Sequence, residues 1–298
     1  STGVAANNYN QMVKLDVKRY KETTSGNYTL LDTTTYYCMD GYGYYSEGAN
    51  PQLTSLEFTT DQTASLPQGT YYYHYQSTHT PATTESQRAG LIGFLGAGVL
   101  VDLKYTNLVS GTTQVITNPF ASADLYDVPT VWYDYYADGN KLEVWDNLGG
   151  GSPTLYGTWY FKPKCEPKYT PILVDFVNQM GYWQREWFYK ASKNNINTKE
   201  SVYNLMQSDS LSYSTLEGQR QAFNHNGQET ITCNTGIVAP SYSETIQQIM
   251  LSEKVLVDSL PVTVDTKSIE KLKGVNAQGN INYNITFKYG FDMINSVI

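Results

Sequence analysis

The sequence predicts an all-β chain, mainly antiparallel, built as two sandwich- or barrel-like domains with one α-helix flanking the second. Three observations carry that prediction. The chain holds 27 Tyr against 9 Phe, with 14% aromatic and only 16% charged residues, and Tyr, Thr and Val suit half-buried pleated surfaces. Short apolar or aromatic runs recur roughly every ten residues between Gly, Asn, Asp, Pro and Thr clusters, the spacing of antiparallel strands and their turns. The clearest helical stripe lies at 241–252, with Ile249 and Met250 each one turn on from Ile246 at i+3 and i+4.

The elements follow in order. Val13, Leu15 and Val17 alternate with charged residues, the period of a strand with one wet face. Residues 71–75 (YYYHY) and 155–161 read as further strands. Asp138, Gly139 and Asn140 stand between aromatic 132–136 and apolar 142–145 and predict a hairpin. The Thr- and Ser-rich stretches 77–86 and 147–153 read as loops. Pro163, Pro167 and Pro171 crowd Cys165, and prolines that dense are hard to fit inside a central strand. The domain junction is therefore expected there, with 1–163 a Tyr-rich antiparallel domain and 164–298 the second.

In the second part, 172–177 (ILVDFV) predicts a core strand and NQMG at 178–181 a turn. After a polar stretch, 228–233 predicts a strand with Glu229, Ile231 and Cys233 on one face. Ser241 and Glu244 have the spacing of a capping box, in which hydroxyl and carboxylate satisfy orphaned helix N–H groups. Val255 and Val257 pair by pattern with Val262 and Val264 across a turn containing Pro261. Ile281, Tyr283, Ile285, Phe287 and Tyr289 alternate cleanly and share one face of a closing strand.

Composition excludes several function classes. A net charge of −8 repels phosphate backbones, so no nucleic-acid partner is expected. Residues 89–103 form the longest apolar run, but four glycines interrupt it and it is too short for a membrane helix, so no membrane insertion is expected. Residues 1–12 lack a positive n-region and an apolar h-region; the reading is a chain without a secretory signal. On that reading the sequons at Asn27 and Asn284 are accidental.

Candidate chemistry is sparse. Cys38, Cys165 and Cys233 form no C-x-x-C pair and predict half-buried thiols, not a disulfide framework. His74 and His79, near Glu85, and the remote His225 lack helical metal spacing, and Asp134, Asp138 and Asn140 lack the calcium-loop pattern. GFLGAG at 93–98 precedes a strand-like segment where a dinucleotide cradle needs a helix, so it reads as a turn. No nucleophile elbow or acid pair stands out. The expectation is a chain with no enzymatic activity, no cofactor and no metal. Aromatic clusters carry more information. Tyr42, Tyr44, Tyr45 and Tyr73 belong either to core and subunit interfaces or, alternatively, to a platform for host surface glycans in an adhesion module.

A resemblance supplies the leading functional expectation. CEPKYTP (165–171), ILVDFVNQMG (172–181), WQREWF (183–188), NTGIV (234–238), YSETIQQIMLSEKV (242–255), PVTV (261–264) and NYNITFKYGF (282–291) occur in that order. Together they resemble the C-terminal module of tail-associated virion proteins from phages and prophages of Bacteroidetes. The resemblance covers about 165–298 and implies a non-enzymatic component of a tail tip, hub, baseplate or collar, located in the virion. It also implies self-assembly into a ring-type homo-oligomer, in which each copy offers two different faces to its neighbours, and binding of adjacent tail proteins. On that reading Trp183, Trp187, Phe188 and Tyr189 line a subunit interface, with the core as the competing place for rings of this size. Ile246 and Met250 join Trp183 and Trp187 as residues of structural importance.

Overall fold

The computed structural model describes residues 13–38, 41–48, 56–60, 71–75, 90–95, 102–117, 130–132, 138–146, 148–149, 151–164, 166–179, 181, 183–206, 212–216, 218–270 and 281–294. The strands are β1 (Val13–Thr24), β2 (Asn27–Cys38), β3 (Leu56–Thr60), β4 (Tyr71–Tyr75), β5 (Gly90–Leu95), β6 (Asp102–Asn107), β7 (Thr113–Thr117), β8 (Thr130–Trp132) and β9 (Asn140–Asp146). They continue with β10 (Thr154–Lys164), β11 (Ile172–Val177), β12 (Trp183–Phe188), β13 (Lys193–Asn204), β14 (Arg220–Asn234), β15 (Val255–Val257), β16 (Leu260–Val264) and β17 (Asn284–Tyr289). Helix α1 spans Ser243–Leu251. The all-β expectation with a single helix holds for the described residues.

Strands β4, β10, β9, β6 and β7 form one sheet in that order, antiparallel except for the parallel β4–β10 pair. Leu142 stands opposite both Tyr105 and Trp159, and Val144 opposite Leu103. These residues therefore share a face, and all five are buried. The opposite face carries Glu143, also buried, in ion pairs with Lys141 at 2.7 Å and Lys104 at 3.6 Å. The hairpin expected across residues 138–140 is not what forms. Trp132 pairs with Gly90 in a separate sheet of β3, β5 and β8, while Leu142 pairs within the five-stranded sheet. Pro163 lies inside β10 opposite His74. It is tolerated because the β9 pairing ends at Phe161, so no second neighbour requires its missing N–H.

The second large sheet has the order β12-β11-β15-β16-β17-β14-β13, and every strand pair in it is antiparallel. Its register aligns Val174 with Val257, Val255 with Val262, Val262 with Tyr289, and Phe287 with both Val264 and Ile231. One face is thus continuously apolar. Ile246 and Ile249 of α1 pack into it, both fully buried, as are Phe176, Phe188, Ile285 and Phe287. Each such side chain contributes about 1.5–3 kcal/mol by leaving water. The five alternating residues from Ile281 to Tyr289 are all buried, but the closing strand is shorter than the alternation predicts: β17 begins at Asn284, so Ile281 and Tyr283 precede it.

Three further local expectations in this region need correction. The tight turn between β15 and β16 is Asp258–Ser259, both with positive φ (47° and 70°), and Pro261 sits within β16 opposite Leu256. Positive φ at both central positions matches the right-handed twist of the flanking strands. The capping box at Ser241 is replaced by a 3-10 turn at Pro240–Tyr242, so the helix begins at Ser243 after an αR Tyr242 with no side-chain cap. The polar stretch after Tyr189 is a long hairpin, β13–β14.

Two hairpins project. In β1–β2 each strand has 12 residues, a length of about 40 Å at ~3.3 Å per residue. Leu15, Val17, Tyr20, Tyr28, Leu30 and Leu31 are exposed on it. The outer half of β13–β14 likewise exposes Val202, Tyr203 and Phe223, with the last two rings in edge contact at 5.6 Å. Among the described residues no helix is long and apolar enough to cross a membrane.

Candidate functional site

The expected interface rings come to different places. Alternation along β12 sends Gln184, Glu186 and Phe188 to the helix side, and Trp183, Arg185 and Trp187 to the other. Phe188 is wholly buried, edge-on to Phe287 at 6.2 Å. Trp187 and Tyr189 cluster with Leu173 on the far side, 8% and 5% exposed, with the Lys164 ammonium 4.2 Å from the Tyr189 ring. Burial pushes the Tyr189 phenol well up from its ordinary range. The interface expectation for Trp187, Phe188 and Tyr189 is therefore corrected: β12 is covered on both faces, and these rings have almost no surface to offer. Trp183 alone of the four keeps partial exposure.

Behind that strand lies a buried polar network that the sequence did not announce. The Tyr242 hydroxyl donates to Glu186 Oε2 at 2.8 Å, and Gln184 Nε2 donates to Glu186 Oε1 at 2.9 Å. Asn178 Nδ2 donates to Gln184 Oε1 at 3.3 Å, and the Gln179 N–H to Gln248 Oε1 at 3.1 Å. Burial first, then the Glu186 charge, raises the Tyr242 pKa well above its ordinary value. The network ties both ends of the helical segment to β11 and β12, and so fixes where α1 lies on the sheet.

The position of α1 in turn organises the tyrosine loop at 41–48. The Tyr44 hydroxyl donates to Glu244 Oε1 at 2.8 Å across 200 residues of sequence, so the carboxylate expected to cap the helix instead anchors a loop. Burial and that hydrogen bond raise the Tyr44 pKa far above its ordinary value. The Tyr42 N–H donates to the Gln179 carbonyl at 2.8 Å, and its ring meets Tyr44 edge-on at 5.8 Å. Glu47 accepts from the Tyr44 N–H at 3.2 Å and from Gln179 Nε2 at 3.3 Å. Gly48 closes the short turn with φ of +66°, which glycine adopts without strain.

These tethers form one wall of a groove of about 720 Å³. Tyr42, Tyr44 and Tyr45 line that wall, and Ser252, Glu253 and Lys254 line the other. The structure thus brings together three of the four tyrosines singled out in the sequence. Tyr73 sits on β4 opposite Lys162, and its side chain lies outside the described residues.

The remaining sequence candidates disperse. His225 Nδ1 is 3.3 Å from Glu200 on the exposed hairpin, His74 is on β4, and His79 and Glu85 lie outside the described residues. Among the described residues no group of three His, Cys, Asp or Glu side chains is placed to hold a metal. Cys233 is wholly buried, and burial pushes its thiol up to about 12. Compared with known proteins, the chain matches no family model, no curated protein and no solved structure.

Proposed function

We propose that this chain is a non-enzymatic structural subunit of a phage tail, a tip, hub, baseplate or collar component that binds copies of itself and neighbouring tail proteins. The observation that carries the reading is the β1–β2 hairpin, a ribbon about 40 Å long with Leu15, Tyr20, Tyr28 and Leu30 exposed. A two-stranded ribbon is marginal by itself in water. Apolar side chains along such a ribbon mark a surface that a partner covers. The β13–β14 hairpin offers a second such surface, and two distinct surfaces suit the head-to-tail contacts of a ring. The tail-protein resemblance of 165–298 falls on the sheet that holds α1.

Two measurements test it. Peptide mass spectrometry of density-purified phage particles should find the chain at a small fixed copy number. Sedimentation velocity of the purified chain should show an oligomer that Tyr20→Asp with Leu30→Lys disperses, the opposite charges facing each other across the strands. The thermal midpoint should hold, because this cross-strand pair is exposed. Absence from particles, together with a monomer at roughly 10 μM, a concentration at which micromolar contacts form, would overturn the proposal.

A further inference from the structure

We infer that the groove beneath Tyr45 is a carbohydrate-binding site for a neutral hexopyranose chain. The groove would serve this role whether or not the chain belongs to a tail. Tyr45 is fully exposed, its ring extended into water, yet the turn that carries it is held at four points. The Tyr42 N–H bonds the Gln179 carbonyl, Gln179 Nε2 bonds Glu47, the Tyr44 N–H bonds Glu47, and the Tyr44 hydroxyl bonds Glu244. An exposed aromatic ring on a tethered turn is pre-organised, so a ligand that stacks on it loses little entropy in ordering the protein.

The chemistry of the walls selects the ligand. One wall is three phenols, which present apolar faces with polar rims. The rest of the side-chain lining is apolar Val177 and Leu251 with Ser252, Glu253 and Lys254; the Ser252 hydroxyl is bonded to the Lys254 backbone, so the Glu253 carboxylate and the Lys254 ammonium are the polar groups offered to a ligand. A pyranose matches both, with C–H groups for the rings and hydroxyls that donate to a carboxylate or accept from an ammonium. Glu253 and Lys254 cancel in charge, while the Glu47 and Glu244 carboxylates that hold the turn and the net charge of −8 disfavour an anionic ligand such as a phosphate. Gly41 and Gly43 alternate with the tyrosines, so the backbone there can approach a ligand closely. The volume lies within the roughly 300–1,000 Å³ of small-molecule clefts.

The test titrates the full chain with maltohexaose, cellohexaose and mannohexaose by isothermal calorimetry and ligand-observed NMR. Saturable binding of at least one is expected. Tyr45→Ala should weaken it by roughly tenfold, the upper end for an aromatic contact, and Tyr45→Trp should retain it. Tyr213→Ala, at an exposed tyrosine outside the groove, should change nothing. Because Tyr45 is wholly exposed, its removal leaves folding intact, and an unchanged thermal midpoint verifies this. No saturable binding at about 10 mM, weaker than any useful recognition, would overturn the inference, as would binding indifferent to Tyr45→Ala. A Tyr45→Ala variant that loses only self-association would assign the groove to a protein neighbour and overturn it equally.

Discussion

Tyr242 and Glu186 should be energetically coupled, and the sign of one substitution should depend on the other. In the parent chain the Tyr242 hydroxyl donates to a carboxylate that is 7% exposed. Hydrogen bonds to charged groups contribute about 1.5–3 kcal/mol. Tyr242 keeps some exposure, so Tyr242→Phe should cost about 1.5–2 kcal/mol, the lower part of that range. Glu186→Ala is harsher, because it strips the acceptor from both Tyr242 and the fully buried Gln184. At about 1–3 kcal/mol per stranded donor, it should cost about 3–5 kcal/mol. In the Glu186→Ala background the Tyr242 hydroxyl has lost its acceptor, so removing it should be neutral or slightly stabilising. A double-mutant cycle by urea unfolding then gives a coupling of about 2 kcal/mol. Equal costs of Tyr242→Phe in the two backgrounds, within about 0.5 kcal/mol, would show that the hydroxyl is satisfied by another group and that the coupling to Glu186 does not exist.

Other expectations follow from single sites. Burial raises the Asp258 carboxyl above its ordinary 3.8, only partly offset by the Leu173 N–H it accepts. The folded state therefore holds that proton more tightly than the unfolded state, and the resulting stabilisation is full below 3.8 and lost as pH rises through the raised value. Asp258→Asn, which keeps an acceptor and suits positive φ, should gain on the parent in urea midpoint between acid and neutral pH; a relative loss would contradict the assignment. A Cβ added at Gly157 would lie 2.4 Å from the Trp159 ring, so Gly157→Ala should cost about 1–3 kcal/mol by overpacking, and a change under about 0.5 kcal/mol would show that the ring moves freely. Cys233, buried with its thiol near 12, should resist iodoacetamide in the folded chain and react on unfolding, as site-resolved mass spectrometry would show; ready labelling of the folded chain would mean that the core opens.

Period-two and helical patterns were legible wherever a strand or helix keeps one face in the core. Ile285, Phe287 and Tyr289 of β17 and the Ile246 and Ile249 pair behave as their spacing predicts, because alternation depends only on backbone geometry within a few residues. The hairpin β13–β14 was not legible. Its outer half is exposed on both faces, so burial imposed no period, and its residues read as a polar stretch. Tyr42, Tyr44 and Tyr45 stood out by composition alone, whereas no local pattern joined Gln179, Glu244 or the 252–254 wall of their groove to them.

Local spacing along the chain was enough for the all-β class, the helix at Ser243–Leu251 and the inward faces of its clearest elements. Which surfaces are covered was settled by packing between distant segments. It buried Trp187, Phe188 and Tyr189 on two sides of one strand, turned Glu244 from a helix cap to the anchor of Tyr44, and left β1–β2 projecting into solvent. The physical reason is range. A strand's period is written in its own residues, but what lies against it comes from segments as far as 200 positions away, and no local pattern records that meeting.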